Sequence, residues 1–243
     1  SVSLLAGCGS TAASPVSSAA STAAESTTSS VVSETTSAAA DENEAAAAQL
    51  LNDLTGSYQE LWPVILADEY KQTWLDDCTA LVGEENAEAA FEKLSSMVTS
   101  DVYGEDAVEA YANGGGAYFC GFTNSLATLT FDGETSTISG TDKDGNVLFS
   151  HTYHYIGMEP VHELYEFESD DADSGEFTYF FLAPDTSAET YHIEFRYGSD
   201  AEALSQYDAG EYAYWVASGI STDCDQTMID NCIELFCTEN LAG

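Results

Sequence analysis

Basic residues are almost missing from this chain of 243 residues. Lys and Arg together number four against 43 Asp and Glu, which gives a formal net charge of -39 at pH 7. Proteins that bind nucleic acid neutralise its phosphates with clustered Lys and Arg, so nucleic acid is excluded as a partner. The same charge disfavours adsorption to an anionic membrane surface. It favours a loose accumulation of cations around the protein.

Several motifs of catalysis and metal binding are also absent. The sequence contains no G-x-S-x-G, no HExxH and no phosphate-binding glycine loop, so we do not expect an enzyme. It contains no CxxC, which argues against a zinc cluster held by thiolates. The sequence has six cysteines, and five remain if Cys8 is set aside. Because five is an odd number, at least one of them has no disulfide partner within a monomer.

The first residues indicate where the protein resides. Leu5-Ala6-Gly7-Cys8 resembles a bacterial lipobox, which predicts that residues 1–8 end a lipoprotein signal and that Cys8 carries the lipid. The basic start of such a signal is missing, so we expect further residues upstream. Residues 9–40 are mostly Ser, Thr and Ala and predict a disordered tether. We therefore expect an extracytoplasmic protein, held to the bacterial cell membrane only through its lipid.

The remaining residues, 41–243, predict one domain that begins with a helical region over 41–113. Apolar spacing predicts helices over 41–54, 58–74 with a bend at Pro63, 84–98, 105–111 and, after a Thr222 N-cap, 223–236. Alternation and Asp-Gly turns predict strands over 126–131, 135–139, 147–155, 161–169, 177–182 and 191–197. Short sequential strands of this kind favour a mainly β (α+β) fold, an antiparallel meander closed into a barrel.

The acidic loop over 170–176 faintly resembles a calcium-binding loop. It lacks the spaced oxygens and the terminal Glu of an EF-hand. We therefore expect a solvated loop that joins two strands.

The order of several motifs resembles the ZinT family of zinc-binding proteins. Residues 51–63, LNDLTGSYQELWP, follow the spacing of its Leu-x-Asp-Trp-x-Gly-x-Trp-Gln-x-x-x-Pro motif, with Leu54 and Tyr58 in the tryptophan positions. Residues 165–168, 177–184 and 191–193 resemble its later strands. The resemblance covers about residues 52–236. It implies a lipocalin-like (calycin) antiparallel β-barrel with N-terminal helices and a C-terminal helix, and a role in zinc recruitment or buffering.

The resemblance also implies a metal site made by three histidines, to which Phe180, Thr190 and His192 correspond here. Only His192 is retained, and zinc needs three or four ligands. Glu194 shares a strand face with His192, because alternate residues point the same way. Glu189 lies at the start of that strand. His192, Glu194 and Glu189 are therefore the predicted metal ligands, with zinc as the ion and a metal ABC transporter as the implied partner.

The other histidines fit a metal site less well. His151 and His154 are three residues apart, so on a regular strand they face opposite sides. His162 lies near the start of another strand. The alternative function is a lipocalin-like module that has lost its metal and binds a small apolar ligand or a partner protein at the barrel mouth.

Overall fold

The computed structural model describes residues 31–184 and 192–242, with side chains from Glu42 onward. Cys8, Thr190 and Glu189, together with the predicted tether up to residue 30, lie outside the described residues. The α-helices are α1 Val31–Asp53, α2 Leu61–Ile65, α3 Lys71–Val82, α4 Glu84–Ser96, α5 Glu105–Ala112, α6 Ala201–Leu204 and α7 Gln226–Leu241. The strands are β1 Gly56–Glu60, β2 Thr128–Asp132, β3 Thr137–Thr141, β4 Val147–Met158, β5 Tyr165–Ser169, β6 Tyr179–Leu182, β7 His192–Gly198 and β8 Ala217–Ser221.

The strands form a closed antiparallel barrel in the order β1 to β8. Each strand pairs with its neighbours in the chain, and β8 returns to pair with β1. The predicted lipocalin-like barrel with helices on either side in sequence is therefore confirmed. None of the helices in the described part of the chain combines the length and the apolar character that a membrane span requires.

The strand β1 corrects the prediction of a helix over 58–74. Tyr58 pairs with Leu129 on one side and with Ser221 on the other. Residues 56–60 thus close the barrel, and their backbone pairs with two strands at once. This long-range pairing outweighs the local helical pattern, which begins only after Glu60 in α2.

Two helix starts also differ from the prediction. The first helix begins at Val31 rather than Asp41, so residues 31–40, predicted as part of the disordered tether, are helical. Alanines flank Asp41 on both sides and favour the helix there, whereas residues 31–37 have no such propensity. The last helix begins at Gln226, and its N-cap is Asp225, whose carboxylate accepts a hydrogen bond from the Met228 N–H at 2.9 Å. Thr222 cannot cap this helix because it still follows β8, where its N–H donates to the Ser57 carbonyl.

The hydrophobic core has two parts. Inside the barrel, aromatic rings dominate, among them Phe167, Phe180 and Phe195, which are fully buried. Outside it, α2, α3, α4 and α7 pack around a second cluster that reaches the barrel at Ile220. Trp74 anchors this cluster because its indole N–H donates to the Ile65 carbonyl at 2.7 Å. The helices thus cover the outer surface of one side of the barrel.

A buried arginine attaches the segment after β7 to the barrel. The Arg196 side chain has no exposed surface, and its guanidinium donates to the backbone carbonyls of Leu204, Gln206 and Tyr212. It also lies 4.3 Å from the centre of the Tyr207 ring. Burial lowers the pKa of Arg196, so the carbonyls and the ring replace the water that a free guanidinium would bind.

We expect Arg196→Lys to lower the free energy of unfolding by about 2 kcal/mol or more, because one ammonium cannot reach three separate carbonyls. Urea denaturation followed by circular dichroism measures the change. Lys71→Arg is the control, since Lys71 is half-exposed and its ammonium pairs with Glu88 and lies over the Phe91 ring at the surface. A loss of stability no larger than that of the control would contradict the structural role of Arg196.

Candidate functional site

The alternation of β7 decides which way its polar side chains point. Ile193, Phe195 and Tyr197 belong to the core inside the barrel. His192 and Glu194 have the opposite parity and lie on the outer face of the strand, against the helical layer. His192 and Glu194 thus lie on one face of β7, as their spacing predicts, and their role as metal ligands stays a prediction. The inward positions are taken by the three core residues.

His192 and Glu194 line a small groove between β7 and α7, here named the β7–α7 groove. Its walls are Leu61, Trp62, His192, Glu194, Cys232, Leu235, Phe236 and Glu239. The cavity within it measures about 20 Å³, enough for a single water or ion. A second carboxylate and a thiol, from α7, therefore face the predicted ligands of β7.

The thiol in this groove is a poor metal ligand as it stands. Cys232 is 4 % exposed, and burial raises the pKa of its thiol to about 12. Metals bind the thiolate, which is scarce at neutral pH when the pKa is this high. His192 and the carboxylates of Glu194 and Glu239 are the stronger candidates.

The described residues do not complete a zinc site on their own. In the ranges 31–184 and 192–242, no group of three or more His, Cys, Asp or Glu side chains is arranged to hold a metal ion. A structural zinc site uses four protein ligands and a catalytic one three. Glu189, the remaining predicted ligand, lies outside the described residues. The groove therefore offers part of a donor set.

Phe180 does not belong to the same site as His192. It lies inside the barrel, 5.4 Å from Tyr153 and 5.3 Å from Tyr197 between ring centres. His192 lies outside, so the wall of the barrel separates the two positions. The correspondence that the resemblance implies for positions 180 and 192 therefore does not bring these two side chains together in this chain, because they point to opposite faces of the barrel wall.

The barrel interior is filled by aromatic side chains. Phe149 stacks on Phe177 at 4.0 Å, and the stack continues through Phe180 to Phe195. The Tyr197 hydroxyl donates to the Thr123 carbonyl, which satisfies its one polar atom. Rings at these separations leave no room for an apolar guest among them. The alternative prediction of a ligand at the barrel mouth is therefore not supported by this packing.

The other histidines have carboxylates of their own. His151 lies 2.6 Å from Asp171, and His154 lies 2.7 Å from Asp170. His151 stacks on the interior ring of Phe149, whereas His154 is on the exposed face of β4, as their spacing predicts. Both aspartates come from the loop over 170–176, so this loop acts as the partner of two histidines.

His162 is placed against Tyr207, with 3.9 Å between the ring centres. Its Nδ1 lies 4.0 Å from the buried carboxylate of Glu159. Burial lowers the pKa of His162 more than the charge of Glu159 raises it. This histidine packs beneath the Arg196 segment and does not face the β7–α7 groove.

A larger cavity, of about 330 Å³, lies on the other side of the Trp62 indole. It is formed by Glu60, Trp62, Pro63, Leu66, Val98, Thr99, Ser100, Phe119, Cys120 and Gly121. Sequence reasoning missed it, because these residues come from three segments that only the fold brings together. The one local signal of this cavity in the sequence was the pair Glu60 and Trp62, which lie on either side of the change from β1 to α2.

A buried polar cluster around Cys120 lies between the two cavities. Cys120 is 2 % exposed, and burial raises the pKa of its thiol well above the usual range. The negative charge of Glu194 raises it further, and polar contacts with Ser218 and Trp62 lower it in part. Cys120 is therefore a neutral thiol that separates the carboxylate of Glu194 from the larger cavity.

Comparisons with known proteins bear on the fold. No protein-family model matches the sequence, and no curated protein sequence matches it. Among solved structures, the chain is similar to the Zn(II)-bound ZinT-like domain of AdcA from Streptococcus pneumoniae, with 14% identity over 76% of this chain and 89% of that one, and a TM-score of 0.48. It is also similar to Zn(II)-bound AdcA from the same organism, with 13% identity over 77% of this chain and 35% of that one, and a TM-score of 0.45.

The fold is shown by the strand order itself, a closed antiparallel barrel of eight strands. At these identities and TM-scores the similarities say nothing about the site.

A histidine placed at position 180 tests the two-sided geometry. We expect Phe180→His to leave zinc affinity unchanged and to destabilise the protein by about 3 kcal/mol, because it places an imidazole among buried rings. Calorimetric zinc titration and urea denaturation measure the two effects. Phe180→Leu, which shortens the side chain without adding a polar atom, is the control. A gain in zinc affinity on Phe180→His would contradict the placement of the two positions on opposite faces.

Proposed function

We propose that this chain is a lipid-anchored, extracytoplasmic zinc-binding protein of ZinT type, without enzymatic activity. Zinc is its cargo, which it recruits for a metal ABC transporter or buffers outside the cytoplasm. Cys8 is the proposed site of the lipid. One observation carries the metal part of the proposal, namely that His192 and Glu194 face one groove and that Glu239 faces it from α7.

The chemistry of this groove suits a borderline divalent ion. An imidazole with carboxylates is a donor set that zinc accepts, whereas calcium and magnesium prefer oxygen alone. The groove is closed on its sides by Leu61, Trp62 and Phe236, which limits the access of water. Low local water content strengthens the attraction between a cation and the carboxylates. Glu189, at the start of the same strand, is proposed as a further ligand.

The high negative charge supports a cargo role. A net charge of -39 raises the local concentration of cations near the surface and speeds their encounter with a binding site. A partial donor set favours a weaker, exchangeable complex over a permanent structural site, which fits a protein that passes its ion on.

We expect His192→Ala in the full chain to weaken zinc binding by about tenfold or more, because it removes the only nitrogen donor of the set. Isothermal titration calorimetry at neutral pH measures the affinity. Glu194→Gln and Glu239→Gln keep the size of each side chain and remove its charge, so each is expected to weaken binding as well.

His154→Ala is the matched control for loss of a histidine, since His154 is exposed and lies against Asp170 away from the groove. It is expected to retain the affinity of the unaltered protein. The metal proposal fails if the unaltered protein binds zinc no more tightly than the His192→Ala variant.

The competing candidate is a lipocalin-like module that has lost its metal and binds a small ligand or a partner protein. Its support is the cavity of about 330 Å³ beside α2. The ligand would bind outside the barrel, since the interior is filled by rings. Retention of small molecules by a chain that binds no zinc would favour this candidate.

A further inference from the structure

The larger cavity has the size and lining of a small-molecule site. Its volume of about 330 Å³ falls within the range of known ligand pockets. Most of its wall is apolar and comes from Trp62, Pro63, Leu66, Val98 and Phe119. Few polar groups interrupt this surface, so each of them restricts what the cavity can bind.

Glu60 is the charged group of the cavity, and the local backbone holds its carboxylate in place. Its Oε1 accepts a hydrogen bond from the Phe122 N–H at 2.6 Å. A Cβ on Gly121 would lie 2.8 Å from the same oxygen, so a larger residue at this position would displace the carboxylate. The side chain of Glu60 is therefore positioned at the wall and not free to swing into solvent.

No cation of the described chain pairs with Glu60. Lys71 pairs with Glu88, Lys143 pairs with Asp144, and the guanidinium of Arg196 donates to backbone carbonyls. Lys93 is the remaining basic residue, and no ion pair joins it to Glu60 within the described ranges. A cation beside the apolar wall would stabilise this carboxylate further, and an ammonium group on a bound molecule can supply it.

Trp62 contributes the face of its indole ring. The side chain is 6 % exposed, and its buried Nε1 lies against the Cys120 thiol. This N–H can only donate, so it is not a contact for an ammonium group. The faces of Trp62 and Phe119 also attract a cation, as aromatic walls do in sites for ammonium groups.

We propose that this cavity binds a small organic amine, with the ammonium group at Glu60 and the apolar body between Trp62, Leu66 and Phe119. The site shares the Trp62 side chain with the β7–α7 groove but uses different polar groups, and it does not depend on zinc. The strongly negative charge of the protein favours a cationic ligand over a neutral or anionic one of the same shape.

Three probes of similar shape and different charge test the proposal on the full chain. They are phenethylamine, which is cationic, 2-phenylethanol, which is neutral, and 3-phenylpropionate, which is anionic. Isothermal titration calorimetry is expected to give an affinity for the amine about tenfold or more above that for the alcohol, and no binding of the carboxylate. Equal affinity for the amine and the alcohol, or no binding of the amine, would overturn the proposal.

Glu60→Gln removes the charge and keeps an oxygen that can accept from the Phe122 N–H. It is expected to reduce the preference for the amine to about the level of the alcohol. Glu109→Gln, on the exposed face of α5, controls for the change in net charge and is expected to keep the preference. Unchanged amine binding by Glu60→Gln, with the fold verified by circular dichroism, would overturn the assignment.

Thr99→Lys provides a second variant that does not depend on the packing around Glu60. Thr99 is exposed at the edge of the cavity, so a lysine there can place its own ammonium beside the carboxylate. It is expected to abolish amine binding. Glu60→Gln is expected to leave zinc affinity unchanged, and His192→Ala to leave amine affinity unchanged, so the failure of one proposal is distinguishable from the failure of the other.

Discussion

The rest of the structure depends on the two-residue alternation of β7. Ile193, Phe195 and Tyr197 are inside the barrel, where aromatic packing holds them. Once these three are fixed, the side chains between them must point outward, because a slip by one residue would exchange the two faces. His192 and Glu194 then meet α7, and Arg196 reaches the carbonyls beyond β7. The barrel core thereby determines where polar chemistry is possible.

The outer face of β7 consequently has two different roles along its length. At the Arg196 end, a buried charge is satisfied by backbone carbonyls and holds the segment over 204–212 against the barrel. At the His192 end, acidic groups from β7 and α7 face each other across a groove with room for a single ion. The first arrangement is structural, because the guanidinium holds three backbone carbonyls in place. The second gathers the donor types of a metal site around a small groove.

Much of the fold could be predicted from the sequence, because it follows from local patterns. The strands β2, β5 and β7 alternate polar and apolar residues, and β6 is a short apolar run. The turn between β3 and β4 is set by Asp142, which accepts hydrogen bonds from the backbone N–H groups of Asp144 and Asn146. The strands β1 and β8 could not be predicted in this way. The sequence of β8, ASGIS, is small and shows no alternation, and β1 is defined by its pairing with both of its neighbours. Closure of a barrel is a long-range property that a local pattern does not contain.

The candidate site was predictable in part for the same reason. That His192 and Glu194 share a face follows from their spacing, and the large apolar residues between them indicate that this face points away from the core. The approach of Glu239, distant in sequence, was not predictable.

Anomalous diffraction from crystals of the full chain grown with zinc tests the central claim most directly. The account predicts a zinc peak in the groove between β7 and α7, beside His192 and Glu194. A peak inside the barrel near Phe180, a peak only at the His154 and Asp170 pair, or no peak at all would contradict it.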